Sequence, residues 1–353
     1  MSTGLPNDLK ARGRACSGCT CRMNVGPQSY PQSRNVKNSL TTREVSMEAH
    51  AMHAEDPLPV VDTHHHLCDL QAHYYPWLMD EPMWKRVLGD YTPLRRSYLI
   101  DEYIADALPQ HVVKSVHLQM GWDFADPVGE TRWLQGIADT HGFPHGIVGF
   151  ARLESPDLDK VLDGHASFRN FRGIRQILNW DPDPVRSFVD RPDYMTDPAW
   201  LAGFDRLRAR ALSFDLQLYH PQMADAAALA RRFPDVQIIL DHAGMPIDRD
   251  PASLAAWRTA MRGLAQAPNV AVKLSGLGVA NPGWTVESIR PLFEQTIEAF
   301  GIERCVLGSN FPVDRLTGSY ADVFEAFRTL SAGLSAGERR ALFHENAVRI
   351  YRL

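Results

Sequence analysis

The chain has 353 residues, 44% of them hydrophobic and 22% charged, with a formal net charge of -5. That balance describes a globular protein with a large core, and it excludes the basic, aromatic-interleaved surface of a nucleic-acid binder. No run approaches the roughly 18 consecutive apolar residues that span a bilayer, and the N-terminus lacks the apolar centre of a secretory signal. A cytoplasmic enzyme acting on a small molecule is expected, with no nucleic-acid or membrane partner and an oligomeric state, homo-oligomer included, left open.

Residues 1–56 are rich in Ser, Asn, Gln, Arg and Gly and sustain neither helical nor strand period, so they read as a flexible, disordered N-terminal extension. Basic residues outnumber acidic ones there, a weak likeness to a transit sequence, and Met47 or Met52 is an equally good start of translation. Cys16, Cys19 and Cys21 have the spacing to share a soft metal but lack a fourth ligand nearby, which leaves them as cysteines of a tail. With Cys68 and Cys305 isolated, no disulfide framework is expected.

From Pro57 to Leu353 short apolar runs alternate with longer segments of helical period. The runs are Pro59 to His64, Ser115 to Met120, Ile147 to Leu153, Gly173 to Leu178, Phe214 to Tyr219, Val236 to Leu240, Val270 to Leu274 and Cys305 to Gly308. Val236-Gln237-Ile238-Ile239-Leu240 has no strict polar alternation, which suits a parallel strand covered on both faces. These βα units predict an α/β fold, a (β/α)8 TIM barrel over residues 57–353. An open doubly wound sheet is the alternative, disfavoured because no G-x-G-x-x-G follows the first strand. Between strands, Asp225 to Phe233 carries Ala and Leu at helical spacing with basic residues in its last turn. About fifty residues separate His66 from Ser115, and they include Tyr74, Tyr75, Trp77, Trp84 and Tyr91. Such a connection reads as an aromatic cover over the barrel mouth, with Trp77 at the substrate, or as a packed excursion with a short helix.

The chemistry gathers at strand ends. In Asp62-Thr63-His64-His65-His66, residues i and i+2 share a face, so His64 and His66 can both enter the mouth and grip one divalent ion. His242 follows the sixth run and His220 the fifth, although Pro221 can turn His220 away and leave Tyr219 as the inward residue. Barrel active sites draw on several strand ends, so these histidines together outweigh any one of them. Arg175 sits inside an apolar run, where a guanidinium needs an anion: a substrate carboxylate, or an internal salt bridge such as one to Glu130. Arg172 is a weaker candidate, and Lys273 poses the same question as Arg175.

Collected motifs carry a specific resemblance: D-T-H-H-H-L at the first strand, E-T-R-W-L-Q at Glu130 to Gln135, R-G-I-R at Arg172 to Arg175, D-H-A-G at Asp241 to Gly244, K-L-S-G at Lys273 to Gly276, G-S-N-F-P-V-D at Gly308 to Asp314 and E-N-A at Glu345 to Ala347. From Pro59 to Leu353 the chain resembles the family-2 branch of the amidohydrolase superfamily, TIM-barrel hydrolases that include 2-pyrone-4,6-dicarboxylate lactonase and the sugar-acid lactonases. In that superfamily an aspartate on strand eight usually binds metal and deprotonates water; the position that matches it here is Asn310. An amide neither accepts that proton at neutral pH nor supplies the charge. The resemblance therefore implies a lactonase that requires no cofactor, or one with a single divalent metal such as zinc held by His64, His66 and His242. Water attacks a small carboxylated or hydroxylated lactone, with His64, His66, His242 and Asn310 at the reacting carbonyl and Arg175, Tyr219, His220, Lys273 and Trp77 around the substrate. The base is Asp314, Asp241 or a histidine. The alternatives are a metal-dependent amidohydrolase or decarboxylase of the same superfamily, and a catalytically inactive ligand-binding homologue.

Overall fold

The structure, a computed structural model, describes residues 58–81, 87–279 and 281–353. The extension expected over 1–56, its cysteine cluster and Trp84 lie outside the described residues.

Eight strands follow one another in parallel around the barrel: β1 Val60–His65, β2 Val112–Leu118, β3 Gly146–Gly149, β4 Phe171–Ile177, β5 Ser213–Gln217, β6 Ile238–Leu240, β7 Val270–Leu274 and β8 Cys305–Leu307. The ring is closed just beyond β8, where Asn310 N donates to His64 O and His66 N to Phe311 O, each at 2.7 Å. Thr63 Oγ1 adds a 2.7 Å bond to Leu307 O. These bonds decide for a barrel and against an open sheet.

The apolar character of both strand faces has a direct use. Ile239 faces the barrel interior with Val61, Val116, Leu118 and Val306, while its neighbours Ile238 and Leu240 face the helices. An unbroken apolar run is thus what a strand with two covered faces requires.

Around the strands lie α1 Pro76–Met79, α2 Ile100–Ala107, α3 Pro127–His141, α4 Leu158–Ala166, α5 Pro198–Ala209, α6 Met223–Arg232, α7 Pro251–Leu264, α8 Val286–Phe300, α9 Tyr320–Leu330, α10 Ala336–Arg340 and α11 Asn346–Tyr351. Their starts follow local chemistry. Asp197 accepts from Ala199 N and Trp200 N ahead of Pro198 in α5, and Asp250 does the same for α7 ahead of Pro251, so orphan amides are capped where proline needs none. At the far end of the chain, Ala347, Ile350 and Tyr351 of α11 pack into the interior cluster and fill the barrel from below.

β2 and β3 stop short of their apolar runs, by two and four residues. β2 stops at Leu118 because the Glu130 carboxylate takes Met120 N at 2.8 Å and Gly121 turns the chain at φ 72°. β3 stops at Gly149, and Ala151 O instead accepts from Gln176 Nε2 at 2.7 Å. In both cases the residues just past the strand bend over the barrel mouth. The connection after β1 contains α1 and packs Trp77 there, with its Nε1 donating to Met120 O at 2.7 Å.

Candidate active site at the strand ends

A cavity of about 440 Å³ opens at the C-terminal ends of the strands. His66, Gln119, Phe150, Arg175, Gln217 and His242 reach it from or just after β1 to β6, and Gly276 and Asn310 from beyond β7 and β8. Every strand therefore contributes, which only a closed barrel allows.

The paired histidines of β1 depend on a bulge. The register against β2 shifts between Asp62 and His65, so that Asp62 turns outward to Tyr103 and Tyr320 while His64 turns in. His65 also faces outward, stacked on Tyr103 at 4.0 Å and bonded to Ser115 Oγ at 3.0 Å. The rings of His64 and His66 are 5.0 Å apart, and those of His64 and His242 4.5 Å. Three imidazoles thus converge, with His64 beneath and the other two on the cavity wall.

Their partners fix what each can do. His66 Nδ1 lies 2.7 Å from Leu118 O; a carbonyl only accepts, so Nδ1 carries the proton and Nε2 is a bare lone pair. Burial, then Arg175 and His117, hold His66 well below the ordinary imidazole pKa, so the ring is neutral. His242 Nδ1 bonds Ser275 Oγ at 2.9 Å, and burial takes its pKa down to about 4. Gly276 permits this placement. At φ 59° it favours glycine, and a Cβ there would meet His242 Nδ1 at 2.8 Å.

His64 is engaged on both sides. Its Nδ1 is 3.5 Å from Asp241 Oδ1 and its Nε2 is 3.4 Å from Arg175 Nη1. Burial opposes ionisation of Asp241, but Lys273, His242 and Arg175 outweigh it and hold the carboxyl below its usual value. An ionised Asp241 facing Nδ1 favours the tautomer with the proton on that nitrogen, which leaves His64 Nε2 to accept from the guanidinium. Lys273 is fully buried below, 2.9 Å from Asp241 and 2.8 Å from Asp215, and does not line the cavity. Tyr351 donates to the same Asp215 oxygen at 2.5 Å.

Arg175 makes no ion pair among the described residues: Glu130 is spent on Met120 N, and burial lifts its carboxyl to about 8. The guanidinium donates to Gln119 O and to His64, while its Nε has no partner. Arg172 instead bonds backbone carbonyls, those of Arg169 and Arg352 among them.

Asn310 lines the cavity at φ 57°, and its Nδ2 donates to Asp314 Oδ1 at 2.7 Å. Asp314 is buried behind it, with a pKa raised to about 7 mainly by burial. Tyr219 and His220 stand off the cavity; the Tyr219 hydroxyl donates to Arg186 O at 2.8 Å, and His220 is half-buried in the turn before α6. Trp77 is on the cavity wall. Sequence reasoning passed over Asp215 and Ser275, although a lone carboxylate in the apolar run Phe214-Asp215-Leu216 and the serine inside K-L-S-G were both readable.

The family model described as amidohydrolase matches residues 61–353. The chain belongs to the amidohydrolase family. This amidohydrolase is 51% identical over 84% of its length to an uncharacterised protein, y4mH, of Sinorhizobium fredii, covering 99% of that protein. It is 31% identical to an L-fucono-1,5-lactonase of Burkholderia multivorans over 83% of this chain and 96% of that one. A crystal structure of a Burkholderia multivorans amidohydrolase with bound zinc superposes with a TM-score of 0.70 at 30% identity, over 84% of this chain and 99% of that one. The amidohydrolase is accordingly a hydrolase. Among its described residues no helix is long and apolar enough to cross a membrane.

A family in which a relative holds zinc raises the question of fit. Among the described residues, no group of three or more His, Cys, Asp and Glu converges as ligands. Two features account for this. The guanidinium of Arg175 occupies His64 Nε2, and at Asn310 an amide stands where a carboxylate would balance the cation. The donor set of this amidohydrolase does not fit a divalent ion.

Proposed function

We propose that this amidohydrolase opens a small hydroxylated or carboxylated lactone by attack of water on the ester carbonyl, with no metal in the reaction. The observation that carries the reading is the His66 Nδ1 bond to Leu118 O, which leaves a neutral imidazole with an unprotonated Nε2 on the wall of a cavity that also holds a guanidinium. The lactonase relative supports the substrate class.

His66 Nε2 takes a proton from water as the water oxygen bonds to the carbonyl carbon. Asn310 fixes that water: with Nδ2 turned to Asp314, its carbonyl oxygen is the end that accepts from it. The carbonyl oxygen becomes an oxyanion facing Arg175, whose charge takes the place of a Lewis acid. In the tautomer that accepts Ser275 Oγ–H at Nδ1, His242 presents Nε2–H to the same oxygen. Collapse breaks the ring C–O bond, and the leaving alkoxide recovers the proton from His66, which yields a hydroxy acid and restores the neutral imidazole.

The anion expected to meet Arg175 is thus the one formed in the reaction. Tyr219, His220 and Lys273 touch no substrate in this scheme; Lys273 holds Asp241, and through it His64 and Arg175.

A panel of lactones assayed by acid release tests this, with His66→Gln beside the parent. The parent should release acid from at least one lactone, and His66→Gln should lose roughly 10²–10⁴ in kcat. Acid release untouched by the substitution, or none from any lactone, overturns it.

A further inference from the structure

The walls of the cavity between its reacting floor and its rim offer a ligand almost no free hydrogen-bonding group. Gln176 donates to Ala151 O and accepts from Trp200 Nε1, each at 2.7 Å. Gln119 Oε1 accepts from Gly121 N at 2.7 Å, and Trp77 Nε1 donates to Met120 O at 2.7 Å. The hydroxyl of Tyr91 donates to Trp77 O at 3.2 Å, and that of Tyr194 to Asp190 at 2.9 Å. Each of these side chains lines the cavity, and each has a polar atom already bonded to another group of the protein.

Between them the lining is apolar: Leu88, Phe124, Phe150, Phe188 and Val189 face the same space. Phe124 and Phe150 lie 5.2 Å apart with rings tilted by 58°, and Phe124 remains 43% exposed at the cavity edge. The Arg152 guanidinium lies 5.7 Å over the Phe124 ring, and the rest of that exposed ring is apolar surface that a hydrocarbon substituent can cover. The volume, about 440 Å³, falls in the range that encloses a drug-sized ligand, well beyond a bare lactone ring.

We infer that the lactone this chain takes carries an apolar substituent, alkyl or aryl, held along Phe124, Phe150 and Phe188 while the ester carbonyl lies at Arg175 and His66. This rests on the lactonase reading above and specifies its substrate. A ring substituted only with hydroxyls would bring several polar groups against walls with few groups to bond them, and each hydroxyl stripped of water without a partner weakens binding. The remaining polar groups lie toward the ends: Arg175, His66, His242, Asn310 and the strand-end Gln217 near the reaction, Arg152, Glu154 and the exposed Asp190 at the rim. Polar groups on the ring are served there, and the middle of the molecule is served by hydrocarbon.

The test uses the full chain and three δ-lactones: one with an alkyl chain, dihydrocoumarin, and a polyhydroxylated aldono-1,5-lactone. The alkyl and aryl lactones should exceed the polyhydroxylated one in kcat/KM by roughly tenfold or more. Phe124→Ala, at an exposed position that leaves folding unaffected, should shrink that ratio through KM. A polyhydroxylated lactone that is equal or preferred overturns the inference while the lactonase reading stands. Binding of the matching lactams, which resist ring opening, by calorimetry separates the other case. If no lactone is opened yet the alkyl lactam binds more tightly than the hydroxylated one, the activity reading fails and the cavity inference holds; a preference for the hydroxylated lactam sinks the inference as well.

Discussion

His64 Nε2 and Arg175 Nη1 lie 3.4 Å apart at the floor of the cavity, with Asp241 3.5 Å from the other nitrogen of the same ring. The histidine that the spacing of β1 offers to a metal is instead the middle of a chain running from a carboxylate to a guanidinium. A charge that would be costly to bury alone is held by a neutral acceptor on the wall of the cavity. Arg175→Lys keeps the charge but loses the planar fork that reaches both Gln119 O and His64. It should lower kcat by roughly 10²–10³ with a smaller change in KM, as for removal of an oxyanion donor. Steady-state kinetics on the best lactone checks this, and an unchanged kcat would remove Arg175 from the reaction.

The same geometry sets an expectation for metal. Protein purified without chelator should open lactones at the same rate before and after dialysis against a chelator. Asn310→Asp alone restores the carboxylate but leaves the Arg175 cation on His64; only with Arg175→Met added should zinc bind at about one ion per chain. Elemental analysis of the parent and the two variants reads this directly. A parent that carries zinc and loses its rate on chelation contradicts it.

Lys273 is fully buried between Asp215 at 2.8 Å and Asp241 at 2.9 Å. Removing the cation leaves two carboxylates facing each other away from water. Lys273→Met should therefore destabilise the fold by about 3–5 kcal/mol, the range for breaking a buried pair from one side. Denaturant melts measure the loss, and a variant as stable as the parent would show that the carboxylates are held by Tyr351 and the remaining network alone.

Much of the barrel was legible because its cause is local. Each of the eight runs contains or overlaps an observed strand, since an apolar stretch such as Ile238-Ile239-Leu240 has to cover two faces, whatever surrounds it. The convergence of His64, His66 and His242 was legible as strand-end placement. Their division of labour was not, because it depends on partners distant in sequence: Leu118 O for His66, Ser275 for His242, Arg175 for His64. Lys273 and Arg175 looked alike as cations in apolar strands. Which of them faces the cavity and which is enclosed is a matter of depth along the barrel, and composition carries no sign of it.

Asp314 gives the site a pH signature. Burial, offset in part by the Asn310 hydrogen bond, raises its pKa to about 7, against roughly 4 in an unfolded chain. Between these values the folded state binds the proton more tightly than the unfolded one, so this group's contribution to stability is greatest below about pH 4, falls as pH rises through the window and levels off above about pH 7. Asp314→Asn removes the titration yet keeps an acceptor for Asn310 Nδ2. The drop in stability from pH 5 to pH 8 should be smaller in the variant than in the parent. Comparing the two chains at each pH cancels Glu130, raised to about 8 in the same sense, and the neutral histidines, whose lowered values act oppositely at acid pH. Parallel stability curves for parent and variant would mean that Asp314 titrates alike in both states, and would place it in contact with solvent rather than behind Asn310.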